Sequence, residues 1–304
     1  MWWEKQDNLI AKNNCLFIGD HRVSELAEKY GTPLYIYNAK RIRENYYTLN
    51  DALKSAGFKD YRIHYAMKAN NHIGVLKILK ELGTGIDATS PGEVSLASKL
   101  GFSDSDIIFT GTSLSNSDLE YLSHSDVLIN FDSISSLRRF KSKQGRRVGL
   151  RINTGVGLGR TPRITTGGTS TKGIPVKFGL SGKNIIKAAK LIKEKNLGMF
   201  CIHHHVGSDW LGDQIDNYFL ALSNLINYAS EIQSVLGYSI SVLDLGGGYG
   251  VPHWEKEENF PVYDSFHRVF ELVTESGLNF SKVVIEPGNF LVGMQGHWLF
   301  KSIR

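Results

Sequence analysis

From residue 60 onward, short apolar runs alternate with amphipathic stretches, and this rhythm leaves few folds open. The apolar runs are Arg62–Ala66, Gly85–Ala88, Ile107–Thr110, Val127–Phe131, Val148–Asn153, Met199–His204, Val242–Leu245 and Val283–Glu286. Between them lie helical patterns over Ile73–Leu82, Gly92–Leu100, Leu119–Ser123, Lys183–Lys195, Gln214–Leu236 and Tyr263–Ser276. Strands joined by crossover helices pair in parallel, and eight such units are the number that closes a (β/α)8 barrel. A doubly wound open sheet is the runner-up; it has no natural use for eight repeats.

A barrel of this kind carries its active site at the C-terminal ends of its strands. Here those ends bear Lys68, Asp87, Thr110-Gly111, Asn130, Arg151 with Asn153, His203 and His205, Gly246-Gly247-Gly248, and Glu286. A barrel with a purely structural role needs no such variety. Two segments fall outside the repeat. Residues 1–37 include a strand-like Pro33–Tyr37, followed by a helix over Ala39–Ala56. The tail, Phe290–Arg304, alternates apolar positions, so both ends read as strands whose partners are missing.

Composition narrows the function classes. The 304 residues are 41% hydrophobic and 21% charged, as in ordinary globular proteins, and no apolar run reaches bilayer length. The start, Met1–Asp7, lacks the charged-then-apolar pattern of a signal peptide, which points to the cytoplasm. Cys15 and Cys201 are too few for a disulfide framework and have no metal-ligand spacing. A net charge of +5 suits small anionic molecules and makes no case for nucleic acid or membrane. The Arg138-Arg139-Phe140-Lys141 cluster reads as a solvated helix face, and Thr165–Gly173 as a polar, glycine-rich loop.

The motifs carry more specific chemistry. Tyr65-Ala66-Met67-Lys68-Ala69-Asn70 sets a lysine where a buried strand runs out. There it is partly desolvated and neutral enough to attack an aldehyde, the role of a lysine that binds pyridoxal phosphate as a Schiff base. The plain alternative is a surface lysine after a strand. The Gly246–Gly248 run can fold its amides into a nest for phosphate, with Ser208 adding a hydroxyl. His203 and His205 face one side of a strand and His204 the other. Without a third ligand at suitable spacing the pair makes a poor zinc site, so no metal is expected, and a flat imidazole over an aromatic cofactor fits better. Glu286 at the eighth strand end can keep a pyridine nitrogen protonated, which suits decarboxylation; its alternative is a pair with Arg151. Asp87 points into the mouth, and Ser90 with Glu93 reads as a capping box.

Taken in order, these motifs resemble the fold-type III pyridoxal-phosphate decarboxylases, the diaminopimelate decarboxylase branch most closely. The matching pieces are Tyr65–Asn70, Asp87–Glu93, Arg151-Ile152-Asn153, Thr166-Gly167-Gly168 leading to Lys177-Phe178-Gly179, His203–Ser208, Gly246–Gly248 with Val251-Pro252, and Glu286-Pro287-Gly288. The resemblance implies a barrel of the alanine-racemase/ornithine-decarboxylase type over residues 38–288. Residues 1–37 and 289–304 would then belong to a second, incomplete β-domain. It implies pyridoxal 5'-phosphate held by Lys68, Arg151, His205, Ser208, Gly246, Gly247, Gly248 and Glu286, with Lys68, His205 and Asp87 catalytic. The reaction it implies is α-decarboxylation of meso-diaminopimelate to lysine and carbon dioxide, by a homodimer. The alternatives are a pyridoxal-phosphate-binding barrel without turnover and a decarboxylase for another basic amino acid. Two departures stand out: the family has arginine where this chain has Asn289, and its β-domain is one to which the resemblance assigns only residues 1–37 and 289–304 here.

Overall fold

The computed structural model describes residues 9–169, 176–254, 256–293 and 296–299. Met1–Asp7, residues 170–173 of the glycine-rich loop and residues 300–304 of the tail, all interpreted above from sequence, lie outside them. The chain opens with three short antiparallel strands, β1 (Leu9–Lys12), β2 (Cys15–Ile18) and β3 (His21–Arg22), then α1 (Val23–Tyr30) and β4 (Leu34–Tyr37). The long α2 (Ala39–Ala56) leads into the repeat, and Gly57 ends it in the left-handed conformation. The repeat runs β5 (Tyr61–Ala66), α3 (Ile73–Glu81), β6 (Gly85–Ala88), α4 (Pro91–Lys99), β7 (Ile107–Phe109), α5 (Asn116–Ser123) and β8 (Leu128–Phe131). It continues through α6 (Ile134–Arg139), β9 (Arg147–Arg151), α7 (Lys183–Glu194), β10 (Gly198–His203), α8 (Ile215–Leu236), β11 (Val242–Asp244), α9 (Val262–Glu275) and β12 (Lys282–Ile285). A short α10 (Asn289–Val292) and β13 (Gly296–Leu299) follow.

Strands β5 to β12 form a closed, all-parallel barrel in which β12 pairs back onto β5, so the eightfold expectation holds and the open sheet does not. Period-two alternation sorts the side chains. Ile63, Ile86, Phe109, Ile129, Leu150 and Leu243 belong to the continuous core that also contains the helices' apolar stripes. The α7 stripe, Ile185, Ala188, Ala189 and Ile192, has the spacing of one helical face. The intervening positions turn inward. Low in the barrel, Ile108, Cys201, Val242 and Val284 form a small separate apolar cluster. One step further along the strands the interior becomes polar: Asp87, Arg151, His203, Asp244 and Glu286 are all buried.

Three expectations need correction. The terminal strands are not orphans, because β4 pairs antiparallel with β13, from Tyr37 opposite Gly296 to Leu34 opposite Leu299. The solvated-face reading of residues 138–141 is half right. Arg138 and Arg139 are exposed in the last turn of α6, and Phe140 is wholly buried against Phe131, with ring centroids 5.1 Å apart. Ser90 caps α4, but Glu93 reaches past it to the Thr89 amide (2.7 Å) and hydroxyl (3.0 Å), so the box does not close on Ser90 itself. Among the described residues, no helix is long and apolar enough to cross a membrane.

Candidate active site

Lys68 sits on a single helical turn, Met67–Ala69, immediately after β5. Its Nζ donates to Asp87 Oδ2 at 2.8 Å, from the end of the neighbouring β6; 45% of the Lys68 side chain is accessible and 1% of Asp87. Burial pulls the Lys68 amine down, but Asp87 and Glu286 more than offset this and leave it above its ordinary value. Without a reaction partner Lys68 is therefore an ammonium in an ion pair with Asp87, and it must pass on a proton before it can act as a nucleophile. Asp87 is lifted to about 6, by burial first and then by Glu286, with Lys68 opposing. A carboxyl poised there can take up the lysine's proton near neutral pH.

Glu286, just past β12, does not pair with Arg151. It accepts from His203 Nε2 at 3.1 Å, and both side chains are almost fully buried. Burial holds His203 below its usual value, so the imidazole is neutral and its remaining Nδ1 is buried without a partner. Asp244, at the end of β11, completes the group: donor atoms of His203, Asp244 and Glu286 all lie within 4.8 Å of one another. Two buried carboxyls this close cannot both ionise. Burial and Glu286 push Asp244 well up, so it carries the proton. Burial opposes ionisation of Glu286, but His203, Lys68 and the Asp244 proton together hold it below the usual carboxylate range.

His205 lies against the Gly246–Gly248 turn. The Gly247 amide donates to its Nδ1 at 3.2 Å, which leaves the ring neutral and fixes its plane. Burial, followed by Lys68 and Arg151, keeps it well below its usual value. The same bond involves the glycine run itself. Gly246 donates to Asp244 Oδ1 (3.0 Å) and Gly247 to His205, so these amides are engaged within the protein. The Gly248 amide and the Ser208 hydroxyl have no hydrogen-bond partner among the described residues. The glycines are needed for close approach: a Cβ on Gly247 would collide with the Glu286 carbonyl, and one on Gly248 (φ +94°) with that of Gly207.

Arg151 ends β9 with its guanidinium 4.9 Å over the Phe178 ring and a buried Nη2 without a partner. Asn153 Oδ1 accepts from the Gly168 and Gly155 amides, tying down the start of the glycine-rich loop. Sequence reasoning also missed a clamp at the rim. Arg160 binds Asp209 (2.7 Å), Glu257 and the Val251 carbonyl (2.9 Å), and so joins three loops that frame the mouth. Its members lie 49 to 97 residues apart, beyond any local pattern. Asn289 is exposed at the start of α10.

The barrel that builds this mouth is shared with known proteins. The chain is 34% identical over 284 residues to diaminopimelate decarboxylase of Methanothermobacter thermautotrophicus, covering 91% of this chain and 64% of that protein. It is 30% identical to the Bacillus subtilis enzyme of the same name, covering 94% and 66%. The chain thus spans somewhat under two thirds of the length of these relatives. The crystal structure of diaminopimelate decarboxylase from Methanocaldococcus jannaschii superposes with a TM-score of 0.85 at 26% identity, covering 96% of this chain and 69% of that one. Residues 39–293, from the start of α2 to just past the end of α10, match the family described as pyridoxal-dependent decarboxylase, pyridoxal binding domain, and the chain belongs to that family.

Proposed function

We propose that the C-terminal mouth of the barrel binds pyridoxal 5'-phosphate and that the protein decarboxylates meso-diaminopimelate to lysine. The observation that carries this is the pairing of two opposed devices at one mouth. One is an accessible lysine on a proton-accepting Asp87; the other is a buried carboxylate held ionised at Glu286. The mouth fits the cofactor on its own terms. Asp87 Oδ1, Arg151 Nη2 and His203 Nδ1 are buried polar atoms without hydrogen-bond partners among the described residues, a concentration that natural cores avoid unless a ligand meets them. Lys68 would hold the aldehyde carbon, His205 a ring face and Glu286 the ring nitrogen. Ser208 with the Gly246–Gly248 turn would hold the phosphate, and Arg151 and Asp87 would support the lysine and ring.

When bound, the cofactor supplies an electron sink for the pair left behind by a departing carboxylate. The chain's own residues do the rest. Asp87 accepts the Lys68 proton and frees the amine as a nucleophile. An ionised Glu286 favours a proton on the ring nitrogen, the condition for a strong sink, and His203 keeps that carboxylate oriented. The neutral His205 brings no competing charge to the ring face. Lys68 Nζ then returns a proton to the substrate carbon. The solved Helicobacter pylori diaminopimelate decarboxylase is complexed with L-lysine, the product this reading assigns here. Following the resemblance, the working form is a homodimer in the cytoplasm; light scattering and cell fractionation test those two points.

Carbon dioxide release from meso-diaminopimelate, with ornithine beside it, tests the reaction. Release from the first alone supports the reading, and release from ornithine alone shifts it to another basic amino acid. Cofactor binding with no release from either leaves a pyridoxal-phosphate carrier.

A further inference from the structure

The opposite end of the barrel holds a second cavity, of about 590 Å³, within the range of small-molecule sites. The parallel strands place it at their N-terminal ends, away from Lys68. Its floor is apolar: Ile108, Leu128, Val242 and Val284, with Phe200 at the side. Its rim is cationic, with Arg62, Lys143, Arg146, Arg147 and Lys282.

Most of these charges are already answered. Asp106 lies 2.5 Å from Arg62, Asp126 lies 3.0 Å from Arg146 and 3.8 Å from Lys143, and Asp60 lies 3.4 Å from Lys282. Asp104 also lines the cavity, so five cations face four carboxylates and one positive charge is left over. It falls on Arg147, which has no carboxylate within 4.0 Å among the described residues. Its guanidinium lies 4.2 Å over the Phe200 ring. Stacking fixes the plane of an arginine and leaves its in-plane N–H fork free for a carboxylate. The buried Nε atoms of Arg62 and Arg146 also lack partners, so this end carries donors that the protein itself does not satisfy.

We propose that this N-terminal mouth is a second ligand site, for a small monocarboxylate with an apolar body, its carboxylate on Arg147 and its body on the Ile108–Val242–Val284 floor. The inference is independent of the chemistry at the other mouth. A fluorine NMR titration of the full chain with 4-fluorobenzoate tests it, with 4-fluorobenzyl alcohol as the uncharged probe. The expected dissociation constant is about 1 mM or lower for the carboxylate and about tenfold higher for the alcohol. Arg147→Gln, and separately the exposed Lys143→Glu, should each weaken benzoate binding, the first by about tenfold or more. Lys68→Ala should leave it unchanged. No binding at about 10 mM, equal binding to both rim variants, or loss in Lys68→Ala would each overturn the proposal.

Discussion

Replacing Asp87 by asparagine keeps the shape of the side chain and removes the charge that holds Lys68. In the folded protein Asp87 titrates near 6, against an ordinary value of 3.8. At about 1.4 kcal/mol per pH unit, keeping it ionised in place costs roughly 3 kcal/mol. The folded state therefore binds more protons than the unfolded chain between about pH 4 and 6, so this contribution falls as pH rises through that window. Roughly half of it, about 1.5 kcal/mol, is lost between pH 5 and 8. Asparagine has no such dependence. In urea unfolding at those two pH values, Asp87→Asn should gain on the native protein by about that amount on going to pH 8. The same variant removes the first counter-charge to Lys68, so the lysine amine should titrate lower when followed by its reaction with pyridoxal phosphate. A stability difference that stays constant with pH, or shrinks as pH rises, would refute the assignment of a buried, strained carboxylate to Asp87.

Glu286→Gln should retain the cofactor's visible band and lower carbon dioxide release by about a hundredfold or more, because glutamine cannot favour a proton on the ring nitrogen; unchanged kcat would remove Glu286 from that role. Gly248→Ala forces a Cβ against the Gly207 carbonyl at a positive φ, and should lower the unfolding free energy by about 1–3 kcal/mol as well as weaken cofactor binding. Neither effect would mean that the turn relaxes freely. Dialysis against a chelator should leave the visible band and activity intact; a loss restored by zinc would show that His203, Asp244 and Glu286 serve as ligands.

The barrel was legible because its strands are buried on both faces and read as unbroken apolar runs between amphipathic helices. Gly85–Ala88 and Ala39–Ala56 match their predicted limits, and Lys68, Asp87, Arg151, His203 and Glu286 lie at or within two residues of the ends of their strands. Less legible was whatever depends on a partner elsewhere in the chain. The charge on Lys68 depends on Asp87 and Glu286 from two other strand ends, so a motif that frames only the lysine cannot report it. The His203–Glu286 bond spans 83 residues, and Asp244 enters from a third strand, which is why spacing along the chain gave the histidines no further partner. The pairing of β4 with β13 joins opposite ends of the sequence, and each strand read alone looks like an open edge. The glycine run read alone does not show that the Gly246 amide donates to Asp244 and the Gly247 amide to His205.

The most direct test of the central claim is the visible absorbance of the purified chain titrated with pyridoxal phosphate, beside Lys68→Ala, before and after borohydride. The account predicts a saturable band in the native chain that borohydride abolishes while fixing the cofactor to Lys68, and no such band in the variant. A band of equal strength in both proteins, or in neither, would contradict a working lysine at this mouth.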